Sequence, residues 1–143
     1  MADTTIEDMI RAESRLGRAF IGYLFAVLSG VAWPMLVAGP MVAADQGQDL
    51  PVWVGVSWLA MVAVQIVCYV WYAIAAGGAA RALGATGWHY VVWIIAAPFL
   101  ALLPLPLIST VIAISPLSIK FLLGGQLQTA IREQTTMALH VSA

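Results

Sequence analysis

The most polar side chain near the middle of any long apolar stretch is Gln65. Trp58, Met61, Gln65, Cys68, Tyr69 and Tyr72 follow i, i+3, i+4 and i+7 spacing, so a helix would carry them on one broad face. An amide set among aromatic rings suits a flat apolar ligand, such as a quinone or a pigment, with Gln65 as the polar contact. The simpler expectation is that Gln65 bonds a neighbouring helix and the rings fill a bundle. Interhelical bonds of this kind are worth about 0.6 kcal/mol on average and up to about 2. The expected partner is the Gly30 carbonyl, which Pro34 deprives of its helical donor, or the adjacent Ser29 hydroxyl.

Other chemically capable residues lack companions. His89, in Trp88-His89-Tyr90, is the only histidine in the apolar part of the chain. Imidazole is a common axial ligand for haem, but the other histidine, His140, lies in the tail. Flanked by aromatics, His89 reads as an interfacial anchor, with cofactor binding the lesser expectation. Cys68 has no CxxC or Cys-His spacing and reads as a buried structural thiol. Ser57, Ser109, Thr110, Ser115 and Ser118 have no His or Asp in register for a hydrolase. In proline-rich helices such hydroxyls more often satisfy freed carbonyls.

Two further patterns fail as sites. Asp45-Gln46-Gly47-Gln48-Asp49 sets two carboxylates around a glycine but lacks the six or more oxygens that calcium takes. Asp49 reads instead as a helix cap, with Pro51 in the first turn. The run Ala75-Ala76-Gly77-Gly78-Ala79-Ala80, followed by Arg81, Gly84 and Gly87, lacks the Lys-Ser/Thr end of a phosphate loop. It reads as a helix end and a flexible inner loop. No catalytic residue, metal or cofactor is expected.

The elements that must position these residues follow from composition. The 143 residues are 62% hydrophobic and 9% charged, against about 45–50% and about 25% in soluble domains. No Asp, Glu, Lys or Arg occurs over 19–44, 50–80 or 82–119. A helix needs about 20 apolar residues to cross the roughly 30 Å hydrocarbon layer, and each stretch is long enough. A net charge of −1 with no basic run excludes a nucleic-acid binder, and a single cysteine excludes a disulfide framework.

The expected fold is an all-α integral membrane protein, one domain over 1–143. It is a bundle of four hydrophobic helical segments, the last two a short proline-turned hairpin, with amphipathic helical ends. Residues 1–18 form the first end. Asp3, Glu7 and Asp8 precede Arg11, Arg15 and Arg18, unlike a signal peptide. Thr4 with Glu7 suggests a capping box, Glu7 with Arg11 an i,i+4 pair, and Ile6, Met9, Ile10, Leu16 and Phe20 an apolar face.

Span 1 covers 19–44. Gly22, Ala26 and Gly30 form a small-xxx-small packing strip, Pro34 predicts a bend and Pro40 the exit. Span 2 covers 52–80, with Trp53 at one end and Trp71-Tyr72 at the other. That separation is about 27 Å on a helix, close to the distance between the two aromatic belts of a bilayer. Spans 3 and 4 cover 88–103 and 107–123, broken at Leu103-Pro104-Leu105-Pro106. An amphipathic tail covers 124–143, loosened at Gly124-Gly125.

The alternative is three spans plus a surface helix. It would leave Lys120 and Arg132 outside, whereas four segments place all six basic residues inside. Apart from Lys120 at a boundary, the spans hold no acid or base of the kind that ion-coupled transporters carry. The expected partners are therefore the lipid bilayer and other membrane subunits, with the chain acting as a small accessory subunit in a bacterial inner membrane, N-terminus cytoplasmic. The alternative is a small oligomeric transporter or channel for a neutral or hydrophobic solute, with a pathway near Gln65.

Overall fold

The computed structural model describes residues 5–100 and 106–142. Among these are four helices and no strand: α1 (Ile6–Asp45), α2 (Val52–Ala82), α3 (Trp88–Leu100) and α4 (Pro106–Ser142). Three helices, α1, α2 and α4, are long and apolar enough to cross a membrane, and α3 is a shorter apolar helix. With 13 residues, α3 rises about 20 Å, less than the roughly 30 Å hydrocarbon layer.

Local chemistry sets the ends. Thr5 caps α1, accepting from the Asp8 amide at 3.4 Å while its hydroxyl donates to the Asp8 carboxylate at 2.8 Å. The cap is thus Thr5 with Asp8, one residue beyond the expected Thr4 with Glu7. Glu7 is instead held by Arg11 at 3.2 Å. Helix α1 continues through Pro34 and Pro40 and ends at Asp45, one residue past the expected end of span 1. Gly47, at φ +87°, closes it: the Gly47 amide donates to Ala44 and the Gln48 amide to Ala43. Gly84, at φ +75°, closes α2 through the same pair of bonds, to Arg81 and Ala80. Only glycine adopts this left-handed conformation without strain.

Three further expectations give way. Asp49 does not cap α2, whose cap position is Pro51 with no side-chain bond. The Ala-Gly run is not a flexible loop, because α2 continues through Gly77 and Gly78 to Ala82. The last segment continues into the tail as one helix, α4, which stays helical through Gly124-Gly125, where loosening was expected. The proposed break at Leu103-Pro104-Leu105-Pro106 falls largely outside the described residues.

Paired residues give the topology. Gly22 lies beside Trp71, Ala26 beside Gln65 and Trp33 beside Ser57, so α1 and α2 are antiparallel. Glu13 meets Gln128 and Phe20 meets Phe121, which makes α1 and α4 antiparallel. Gly77 meets Gly87 and Val91 across the α2–α3 turn, and Trp93 meets Ser115 between α3 and α4. The result is an up-down-up-down bundle in which α2 and α4 also touch, while α1 and α3 do not. All six basic residues consequently lie towards one end, the end that holds Thr5 and Ser142.

The buried core is concentrated at that same end, in Leu16, Ala19, Tyr23, Tyr72, Ala76, Ile94, Leu123 and Leu127. Small residues on α2 let its neighbours approach. A Cβ on Gly87 would collide with the Gly77 backbone, and one on Gly77 would come within 2.7 Å of Val91 Cγ2. Gly87→Val should therefore destabilise the protein by about 1–3 kcal/mol through overpacking. Gly55→Ala, in a helical position with nothing near its Cβ, should instead gain about 0.5–1 kcal/mol. Unfolding of each variant in mixed micelles, followed by tryptophan fluorescence, measures both.

Candidate functional site

The face that carries Gln65 packs largely on the protein itself. Four of its residues, Gln65, Cys68, Tyr69 and Tyr72, turn towards α1. A Cβ at Gly22 would meet the Trp71 ring at 3.2 Å and Cys68 Sγ at 3.8 Å. Ala26 is fully buried. A Cβ at Gly30 would stand 2.5 Å from Gln65 Nε2. The strip Gly22, Ala26 and Gly30 is thus spent on α2 of the same chain, and Pro34, one turn further on, is exposed.

Gln65 Nε2 donates to the Ala26 carbonyl at 3.0 Å, and Ser29 Oγ donates to the same oxygen at 2.8 Å. The expected partner was the Gly30 carbonyl or the Ser29 hydroxyl. The shift has a geometric cause. A helical carbonyl points along the axis towards residue i+4, so the Ala26 oxygen lies at the level of Gly30. Gln65 crosses the bare Cα of Gly30 and meets that oxygen first.

Tyr72 departs from its expected place in the aromatic belt. Trp53 and Trp71 are 51% and 48% exposed, but Tyr72 is fully buried. Its hydroxyl donates to the Pro116 carbonyl at 2.5 Å, joining α2 to α4. Tyr23 packs on it at a tilt of 31° with ring centroids 4.9 Å apart and meets Tyr69 edge-on at 5.1 Å. Phe20 extends the cluster to Phe121, and the Lys120 ammonium lies 5.2 Å from the Phe121 centroid and 5.6 Å from that of Phe20. Such cation–π contacts hold a charge at an apolar edge. Met61 is half-buried, and Trp58, 47% exposed, faces away from the core.

Sequence reasoning missed Tyr23 and Phe20 as members of this cluster. The signal was present: Leu16, Ala19, Tyr23, Ala26 and Gly30 continue the small-residue strip at helical spacing. Two tryptophan bonds were also missed. Trp33 Nε1 donates to Ser57 Oγ at 3.0 Å, which passes a bond to the Val54 carbonyl. Trp93 Nε1 donates to Ser115 Oγ at 2.7 Å, and Ser115 donates to the Ile112 carbonyl at 2.7 Å. Pro116 has no amide to give that carbonyl, so Ser115 supplies the missing donor.

His89 is exposed at the start of α3 and lines a shallow cavity of about 690 Å³ with Trp88, Trp93 and Ile119. His140 contacts the Thr136 carbonyl on its own helix. It lies about 30 Å along α4 from Ile119 by helical rise, so the two histidines cannot share a haem within one chain. Among the described residues, no three His, Cys, Asp or Glu side chains gather to hold a metal.

Compared with protein-family models, curated proteins and solved structures, the chain matches none.

The Gly30–Gln65 contact is open to a double-mutant cycle. Gly30→Ala alone should cost about 1–3 kcal/mol, because the new methyl displaces the amide. In a Gln65→Ala background most of that cost should vanish, a coupling that equilibrium unfolding in micelles reads directly. Additive effects would show that the two residues do not share the seam. Tyr72→Phe, which removes the bond to Pro116, should cost about 1 kcal/mol in the same assay.

Proposed function

We propose that this chain is a small non-catalytic accessory subunit that packs into a larger membrane protein complex and stabilises it. The observation that carries this reading is how the polar side chains within the spans are spent. Gln65, Tyr72, Trp33, Trp93, Ser29, Ser57 and Ser115 all bond to groups within the chain. Intramembrane polar groups that serve transport or catalysis normally face a cavity or a water-filled route. Here Gln65, Tyr72, Trp33 and Trp93 join helices, the serines also donate to carbonyls of their own helix, and Gln65 lines neither the cavity near His89 nor the one between α1 and α2.

The far half of the α1–α2 hairpin supports the same reading. From residue 31 of α1 to its end, Val37 alone is buried, and from the start of α2 to Gln65, Val54 alone. Val31, Met35, Leu36, Trp53, Val56, Trp58 and Leu59 stand exposed there. Aromatic and Met side chains of this kind are enriched where proteins pack on proteins. A transporter or channel would instead need an open route past Gln65, whose amide is tied to α1.

The clustering of basic residues at one end supports an orientation with both termini in the cytoplasm of a bacterial inner membrane. Topology reporters fused before Met1 and after Ala143 should both read cytoplasmic, and a split result overturns the orientation. Purification of a tagged full-length chain from its native membrane in mild detergent should bring down larger membrane proteins in stoichiometric amounts. Recovery of a clean homo-oligomer would overturn the accessory reading and favour transport.

A further inference from the structure

We infer that the trough between the start of α1 and the end of α2 binds the phosphate headgroup of an anionic membrane lipid. The cavity there measures about 980 Å³, at the upper end of the range for small-molecule sites. Its rim carries Arg11, Arg15, Arg18 and Arg81, and Trp71 and Trp88 stand at its sides. The three α1 arginines follow i, i+4 and i+7 spacing, which places them on one face. Arg81 joins them from the last turn of α2 because the two helices run antiparallel.

Missing side chains make the trough. Ala75, Gly78 and Ala82 follow i, i+3 and i+7 on α2 and form the floor. A Cβ added to Gly78 would meet nothing within 4 Å. The floor therefore has no close neighbour to fill it, although the glycine lies in a helix where alanine is intrinsically favoured.

The charges suit an anion. Arg11 is paired with Glu7, and Asp8 also lines the trough, its carboxylate bonded by the Thr5 hydroxyl. Arg15 and Arg81 form no ion pair among the described residues. Four guanidiniums thus face two carboxylates, an excess that favours phosphate, whose oxygens match the fork of an arginine. The apolar lining favours a lipid over a free ion. From the trough, the exposed side chains of Trp71 and Ile74 continue along α2 towards the hydrocarbon, giving an acyl chain a surface to follow. Tryptophans at this level belong to the bilayer interface.

The site is independent of any protein partner, so its test uses the purified full-length chain alone. Native mass spectrometry and thermal unfolding in detergent would compare phosphatidylglycerol, phosphatidylcholine and glycerol phosphate. Phosphatidylglycerol should bind at one per chain and raise the unfolding temperature, with phosphatidylcholine at least tenfold weaker. Arg15→Gln combined with Arg81→Gln should weaken phosphatidylglycerol binding about 10- to 30-fold, given the usual contribution of each basic residue beside anionic lipid. Gly78→Leu, and separately Ala82→Leu, should also weaken it by filling the trough without altering charge. Equal binding of phosphatidylcholine overturns the proposal, as does glycerol phosphate matching the intact lipid, which would assign the site to a soluble phosphate. Arginine variants or both filling variants that fold normally and bind phosphatidylglycerol unchanged also overturn it.

Discussion

Lipid chains solvate apolar side chains about as well as protein does, so burial alone gives two helices little reason to associate in a bilayer. What remains is close backbone approach and hydrogen bonding. The seam between α1 and α2 supplies both at one place. Gly22 and Gly30 remove the Cβ atoms that would hold the helices apart, and Gln65 crosses Gly30 to reach the Ala26 carbonyl. The bond depends on the bare glycine, and the close approach leaves Gln65 no lipid in which to lie unsatisfied.

The other helices are fixed by the same rule, applied to the places where proline breaks the backbone ladder. Pro116 leaves the Ile112 carbonyl without its amide, and Ser115 fills that role while accepting from Trp93 on α3. The Pro116 carbonyl, in turn, accepts the Tyr72 hydroxyl. One proline thus ties α4 to α3 on one side and to α2 on the other. These bonds let α4 pass through Pro116 as a single helix, where a free proline would invite a kink.

The architecture was legible where chemistry acts locally, and obscure where a distant helix decides. Charge-free stretches marked the spans, and the small-residue strip marked a packing face, because both depend only on spacing. Gly47 and Gly84 could have been read as helix ends, since a glycine after an apolar run is the usual stop. Gly47 was instead read only as part of an acidic loop, and at the start of α2 Asp49 was read as the cap where Pro51 stands. Tyr72 illustrates the harder case. Beside Trp71 it looked like a belt residue, yet successive helical residues point about 100° apart, so one can face lipid while the next enters the core. Its partner, the Pro116 carbonyl, is 44 positions away, and no local pattern announces it. The continuity of α4 across Gly124-Gly125 was hidden for a similar reason. Intrinsic propensity argues for loosening there, but Leu123 and Leu127 are buried on either side and hold the helix to the core.

The two ends of the bundle follow different rules. At the end with the termini, four helices converge on an aromatic and alanine core, and the basic side chains gather around it. At the other end the α1–α2 hairpin has little buried beyond Val37 and Val54. A membrane protein anchored by its charged end is held there by headgroups, since moving an arginine into hydrocarbon is costly. That constraint favours keeping the basic end at the headgroups, and the far half of the hairpin stands exposed. Electrostatics thus acts at one end of the bundle, and exposed apolar surface dominates the other.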